Sequence, residues 1–413
     1  MASSRDFFEI PKQYKTWSMA LIGVGVLSLI IAFLVYGTGE HPQLFWGALL
    51  QNSAYFLLVV NASMFFICAT TLAMGGWQMS FRRVTEAIST AVIPIGIITA
   101  IILLILVLVP GTHIYHWLHP DAGDKILQGK KGFLNVPFYI TWTLLTIGLW
   151  IVLGRKMRQL SRSLDKNPLP NVEAGRKYIF KNTVWASIFI AWFGLTTMST
   201  VPWFWLMSLD PHWYSTMYSW YTFASTFVAG IALIALFVTY MKNQGYLEYT
   251  NNEHLHDLGK FMFAFSIFWT YLWFSQYMLI WYANIPEETV YFNSRIAAQD
   301  HKAGAYSGIF WFSFIINFLA PLLILMRRGS KRNYTTMVFM GVLIIFGHWL
   351  DFYQMVFASI SPDHVNMGML ILDMGIAAGF IGVILLSTGN ALSKYPLIAK
   401  NHPFVKESII HHT

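Results

Sequence analysis

Runs of about 20 apolar residues recur along this chain, each long enough to cross the hydrocarbon core of a bilayer as a helix. Ten qualify, at residues 17–36, 44–74, 87–109, 133–153, 184–207, 217–241, 261–282, 306–326, 337–358 and 367–388. Lipid satisfies no backbone amide, so such runs must fold as helices. Composition agrees, with 56% hydrophobic, 17% aromatic and only 11% charged residues, where a soluble domain carries about 25% charged. The expectation is an all-α polytopic membrane protein with ten transmembrane helices. The run at 44–74 is long enough to tilt or to project from the bilayer. Polar residues 1–17 precede the first run without a small-residue cleavage site, so it reads as an uncleaved span.

Charge sets the expected orientation. With the N-terminus in the cytoplasm, 22 of the 27 lysines and arginines fall in cytoplasmic segments and five in outer loops. That split obeys the positive-inside rule and places both termini in the cytoplasm. The net charge of +8 is then topological and implies no nucleic acid. The outer loops at 113–120, 210–214 and 281–288 are rich in Trp, Tyr, His and Pro. They read either as an interfacial aromatic belt or as a docking surface. The basic connector at 154–182 suits an anionic inner leaflet. The layout is one domain, 1–413. It divides into a flanking helix at 17–36, a four-helix bundle at 44–207, a second at 217–358 and a last flanking helix at 367–388. The halves form at most a weak parallel repeat, with no residue-level match.

Chemistry is confined to few residues. Cys68 is the lone cysteine, which excludes an internal disulfide and any cysteine-ligated cluster. Of 13 histidines only His348 lies inside a run, so a bis-histidine haem has no second ligand. The expectation is no metal and no redox centre on this chain. Asp351 and Asp373 are the two acids inside runs, and ionisable groups at bilayer depth normally face a bundle interior and a partner. His348 and Asp351, three residues apart, share a helix face. Asp351 and Asp373 flank the outer loop at 360–366, at roughly 10–13 Å depth on a 1.5 Å rise. Their helices form a hairpin, so the two carboxylates are expected to approach and to share a proton. A graded proton path then runs from the outer surface through Asp373 or Asp351 to His348. Tyr353, Gln354, Gln276 and Ser275 are supporting candidates. The competing reading is a neutral pair that fixes helix packing. Gln51, Asn52, Asn61, Thr196, Thr197, Ser199 and Thr200 in the first half read as interhelical glue, worth about 0.6 kcal/mol each. Asp210 and His212 mark an edge site or a helix-end turn. His254, His256 and Asp257 read as a proton-uptake cluster or a solvated loop. His113, His116, His119 and His301 lack ligand-like spacing.

Three segments carry a resemblance: 207–217 (MSLDPHWYSTM), 252–260 (NEHLHDLGK) and 273–289 (WFSQYMLIWYANIPEET). They resemble the ActF-type subunit of bacterial alternative complex III, within the NrfD-like (polysulfide-reductase) membrane family, and the ten-span layout agrees. The resemblance implies two four-helix bundles plus two flanking helices in the bacterial inner membrane. It also implies a respiratory quinol:cytochrome c or other electron-acceptor oxidoreductase, to which this chain contributes a proton path or quinol-site support. The implied partners are a sister NrfD-like subunit, periplasmic multihaem cytochrome c and iron–sulfur subunits, a terminal cytochrome oxidase and membrane lipids. Haem c and iron–sulfur clusters would sit on the partners, with quinol, menaquinol or lipid as the contact here. The first bundle has no His or acid to take quinol protons, which favours proton conduction or support. The alternatives are a purely structural scaffold and a secondary transporter.

Overall fold

The computed structural model describes residues 6–121, 123–296 and 302–412; Arg5 and His301 lie outside them. The described chain is helical, and nine of its helices are long and apolar enough to cross a membrane: α1 Lys12–Gly37, α2 Pro42–Leu72, α3 Arg82–Leu108, α4 Val136–Lys166, α5 Val172–Leu209, α6 Thr216–Asn243, α8 Ser307–Leu325, α9 Tyr334–Ile360 and α10 Met367–Leu392. The fold is therefore that of a membrane-embedded helical protein.

The expected run at 261–282 lies in α7, Asn252–Ala283, which has 32 residues. Among the described residues it falls short of the nine in apolar content. Trp269, Tyr271, Trp273, Tyr277, Trp281 and Tyr282 fill it with half-polar rings, and Glu253, Asp257 and Lys260 occupy its first turns. An aromatic helix reads as apolar by eye and as amphipathic by transfer free energy.

Local chemistry sets the helix starts. Side chains of Asn135, Asn171, Asn251, Asn333 and Asn366 accept amides at the starts of α4, α5, α7, α9 and α10. Such caps satisfy amides that have no intrahelical partner. Pro42 opens α2, where its missing N–H costs nothing.

Packing makes two rings. α2, α3, α4 and α5 contact one another in sequence and close on α2, and α6, α7, α8 and α9 do the same. Helix α2 joins them by packing on α6 and α9. The apolar windows of α2 and α6 are 78% and 83% buried, against 17% for α1, so these two form the centre. Helices α1 and α10 pack closely together, and α10 lies on α2 and α3. A Cβ on Gly25 would stand 2.3 Å from the Gly379 Cα. Small residues permit that backbone contact, the usual way helices associate in lipid.

The chain ends meet. Leu397 N–H donates to the Asp6 carbonyl at 2.8 Å, and Lys400 pairs with the Asp6 carboxylate at 2.8 Å. We call this the basic end, since Arg82, Arg83 and Arg158 lie there; the opposite, aromatic end carries Trp213 and Tyr291. At the basic end the short helix Val405–Ile409 is fastened to α7. His254 Nδ1 lies 3.1 Å from the Asn251 amide nitrogen and 2.7 Å from Asn251 Oδ1, and Nε2 faces Ser408 Oγ at 3.1 Å. Ser408 Oγ in turn donates to the Trp77 carbonyl, and His411 Nε2 lies 2.7 Å from Asp257 Oδ2.

Burial, with His411 nearby, pushes His254 down to about 4 from the ordinary 6.5. The folded state then binds fewer protons than the unfolded chain between these values. This stabilisation is complete above pH 6.5 and is lost as pH falls toward 4. Protection factors of amides in residues 402–410, corrected for the intrinsic exchange rate at each pH, are expected to fall as pH drops across that window, and His254→Gln should flatten the response. Exchange equally pH-dependent in both proteins would contradict the assignment.

Candidate functional site

The site grows from one carboxylate, Asp351 in α9, which has no exposed surface. A bare carboxylate in such a place is costly, so neighbours must supply donors. They come from three helices. Tyr221 Oη of α6 donates to Oδ1. Gln354 Nε2, one turn on in α9, donates to the same oxygen at 3.0 Å, and Trp269 Nε1 of α7 donates to Oδ2 at 3.2 Å. Ser225 Oγ of α6 stands 3.4 Å from Oδ2 and 3.0 Å from His348 Nδ1. His348 and Asp351 are therefore bridged by a hydroxyl rather than bonded to each other. The Trp269 ring packs edge-on to the imidazole at 5.3 Å, and His348 Nε2 meets no partner.

A serine hydroxyl between imidazole and carboxylate can donate either way while accepting from the other side. Reversing those two hydrogen bonds passes a proton along the row. Beyond His348, toward the basic end, α9 continues with Ile344, Met340 and Met337, all fully buried. The α9 face beyond His348 is thus apolar.

Toward the aromatic end the hydrogen-bonded side chains stop at Gln354, whose Oε1 has no partner, and Arg295 holds the main chain there. The Gln354 carbonyl accepts from Arg295 Nη2 at 2.9 Å, and the Tyr291 carbonyl from Nη1 at 2.7 Å. The guanidinium lies 3.7 Å from the Tyr291 ring centre. Arg295, Tyr291, Tyr218, Trp213 and Asp210 line a cavity of about 300 Å³, together with Met355 and Ser359 of α9. Met355 is four residues from Asp351, about 6 Å along the helix. The cavity has mixed polar and apolar walls and room for several waters at about 30 Å³ each.

Asp373 is placed differently, and here the expectation is corrected. The two carboxylates do not meet, because α9 and α10 scarcely touch and α2 packs against both. Asn52 Nδ2 of α2 donates to Asp373 Oδ1, and Asn52 Oδ1 accepts from Trp349 Nε1 at 2.9 Å. Asp373 Oδ2 has no partner. Trp349 stands two residues before Asp351, about 200° around the helix, so α9 turns its two polar faces to different neighbours. Asn52, read from sequence as glue, is the only hydrogen-bond donor to Asp373 among the described residues.

The supporting candidates divide. Gln354 bonds Asp351, as above. Tyr353 lies on the Trp349 face, stacked on Phe357 at 4.3 Å, its hydroxyl without a partner. Gln276 faces Tyr291 with its Nε2 unpartnered. Ser275 is buried but bonds neither carboxylate. Asp210 lines the outer cavity, whereas His212 Nε2 pairs with Asp124 Oδ2 at 2.7 Å. Backbone amides and His212 hold the Asp124 carboxyl below its ordinary range. The solvated-loop reading of His254, His256 and Asp257 gives way to buried first turns of α7.

Sequence reasoning missed Tyr221, Ser225, Trp269 and Arg295. A signal existed for α6, where Tyr218, Tyr221, Thr222 and Ser225 recur at helical spacing along one face. A second device is steric. A Cβ on Gly347 would lie 2.2 Å from Asn317 Oδ1, so only glycine admits the π-turn Ile315–Leu319 of α8 beside His348.

The fold and site define a class: a helical, membrane-embedded protein with a buried His–Ser–Asp row. No protein-family profile matches the chain, and no curated protein matches it.

Asn52→Leu would leave Asp373 with no donor in a dry interior. It is expected to cost about 1–3 kcal/mol, read as a lower thermal midpoint in detergent. Asn52→Leu with Asp373→Leu should recover the share due to the unpaired carboxylate, while Trp349 Nε1 stays without its acceptor in both variants. A neutral single variant would contradict the pairing.

Proposed function

We propose that this chain is the ActF-type membrane subunit of a bacterial quinol-oxidising complex, alternative complex III. Its part is a proton path, with no redox centre of its own. The observation that carries this reading is the row His348–Ser225–Asp351, capped by Gln354, with the 300 Å³ cavity lined by Met355 about one helical turn beyond Asp351. Intramembrane ionisable residues so connected are functional by default. The motifs at 207–217, 252–260 and 273–289 support the family, and two of them lie at this site: Asp210 and Trp213 line its cavity, and Gln276 faces Tyr291.

In this reading α7 is the tenth span. The meeting of Asp6 with Lys400 requires an even number of crossings, and α7 supplies it. The positive-inside rule then puts the basic end in the cytoplasm of the inner membrane. The aromatic end faces the periplasmic haem and iron–sulfur partners and a sister NrfD-like subunit. Protons enter or leave Asp351 through the cavity on that side. Quinol, if it touches this chain, does so as a lipid-phase neighbour.

The scaffold reading has one observation of its own, the apolar stretch of Met337, Met340 and Ile344 on the α9 face beyond His348. Asp351→Asn in the assembled complex separates the two. The proton-path reading expects quinol oxidation to fall at least about tenfold, or its pH response to shift, with the complex intact. Unchanged turnover and pH response in an intact complex would leave the scaffold.

A further inference from the structure

Two opposite charges line the cavity at the aromatic end, and neither has a charged partner. Arg295 is 2% exposed. Its hydrogen bonds go to two main-chain carbonyls, those of Tyr291 and Gln354, and to no carboxylate. These bonds engage only part of the five-donor fork of an arginine, and Nε is buried without a partner. The Tyr291 ring stacks on Trp213 at 4.4 Å and lies 3.7 Å from the guanidinium. Two groups so close to one ring centre must occupy its opposite faces. The guanidinium is therefore clamped in a planar stack against the cavity wall. A buried cation held without an acid is costly unless an anion comes to it.

Asp210 stands in the same wall. Its backbone closes the turn before α6, taking the Met207 carbonyl and the Trp213 amide, both at 3.1 Å. Its half-buried carboxylate makes no hydrogen bond or ion pair among the described residues. Lys130 is close enough to act on it, but that ammonium donates to the Pro211 carbonyl at 2.6 Å. The rings of Trp213 and Tyr218 meet edge-on at 5.5 Å in this wall. A carboxylate beside aromatic faces suits an ammonium. The volume of about 300 Å³ is that of roughly ten waters, which is room for a small polar headgroup. Leu206, Val290, Ala358 and Pro362 make the rest of the wall apolar. Asp210 follows the end of α5 and Tyr218 lies in the first turn of α6, so the cavity sits where spans end and lipid headgroups begin.

We propose that this cavity binds the phosphoethanolamine headgroup of a phospholipid, with Arg295 on the phosphate and Asp210 with Trp213 on the ammonium. Planar guanidinium donors suit phosphate oxygens. A headgroup with a phosphate and no ammonium leaves Asp210 facing a like charge, and an uncharged quinol answers neither side chain. Free phosphoethanolamine carries the same two groups. The proposal stands on the cavity and its two charges and holds whether or not a proton passes Asp351.

The test uses the full purified chain, placed in vesicles of equal phosphatidylethanolamine and phosphatidylglycerol. Native mass spectrometry after extraction counts the lipid retained. Wild type is expected to keep one phosphatidylethanolamine in preference to phosphatidylglycerol by about tenfold or more. Asp210→Asn should lose that preference, because the ammonium is what its carboxylate distinguishes. Arg295→Gln should lose both lipids. If it does not fold, Ala358→Phe, which fills the cavity, carries the same test. Thermal unfolding with free phosphoethanolamine, against ethanolamine and inorganic phosphate at equal ionic strength, separates the sources. Stabilisation there without retained lipid assigns the site to the soluble headgroup. Neither retained lipid nor stabilisation would overturn the proposal. So would equal retention of the two lipids, a preference unchanged in Asp210→Asn, or a quinone kept in place of phospholipid.

Discussion

Burial of Asp351 is the constraint on which the second ring depends. Its two oxygens need donors that cannot come from lipid, and they arrive from α6, α7 and α9 itself. Each donor fixes the rotation of its helix. Tyr221 and Ser225 turn one face of α6 inward, Trp269 does so for α7, and Gln354 locks the next turn of α9. An apolar interior of the same volume would tolerate many rotations, whereas a carboxylate with several defined donors tolerates few. The polar row therefore orders the core.

The central position of α2 explains the other polar contacts. It packs against both rings and against α10, so its polar residues meet partners on several sides. Gln51 reaches the Trp349 carbonyl at 3.3 Å, Asn52 joins Asp373 to Trp349, and Tyr55 donates to the Ile345 carbonyl at 2.7 Å. These bonds hold α9 from the side opposite Asp351. The helix that carries the row is gripped on both faces.

Much of this was legible in the sequence, and the gaps have physical causes. Apolar runs mark helices because each must satisfy its own backbone in lipid, and the asparagine caps sharpen several of their starts. His348 and Asp351 stood out because ionisable residues are rare at that depth, and Gln354 followed by spacing. Helix α7 was harder, since tryptophan and tyrosine are half polar and blur its apolar signal. The pairing of Asp351 with Asp373 failed because sequence adjacency of α9 and α10 does not show that α2 stands between them. Arg295 was counted only as a loop charge, because nothing local shows that a loop folds back over the end of α9. Asn52 makes the interhelical bonds its amide suggested, but its partners, 321 and 297 residues away, could not be read from the sequence.

The central claim is that Asp351 changes its protonation while buried. Infrared difference spectroscopy of the protein in lipid, across a pH step, observes that change directly. The account expects a carboxyl band that responds to the step, vanishes in Asp351→Asn and persists in Asp373→Asn. A spectrum with no carboxyl change assignable to Asp351 would contradict it and leave the row as a packing device.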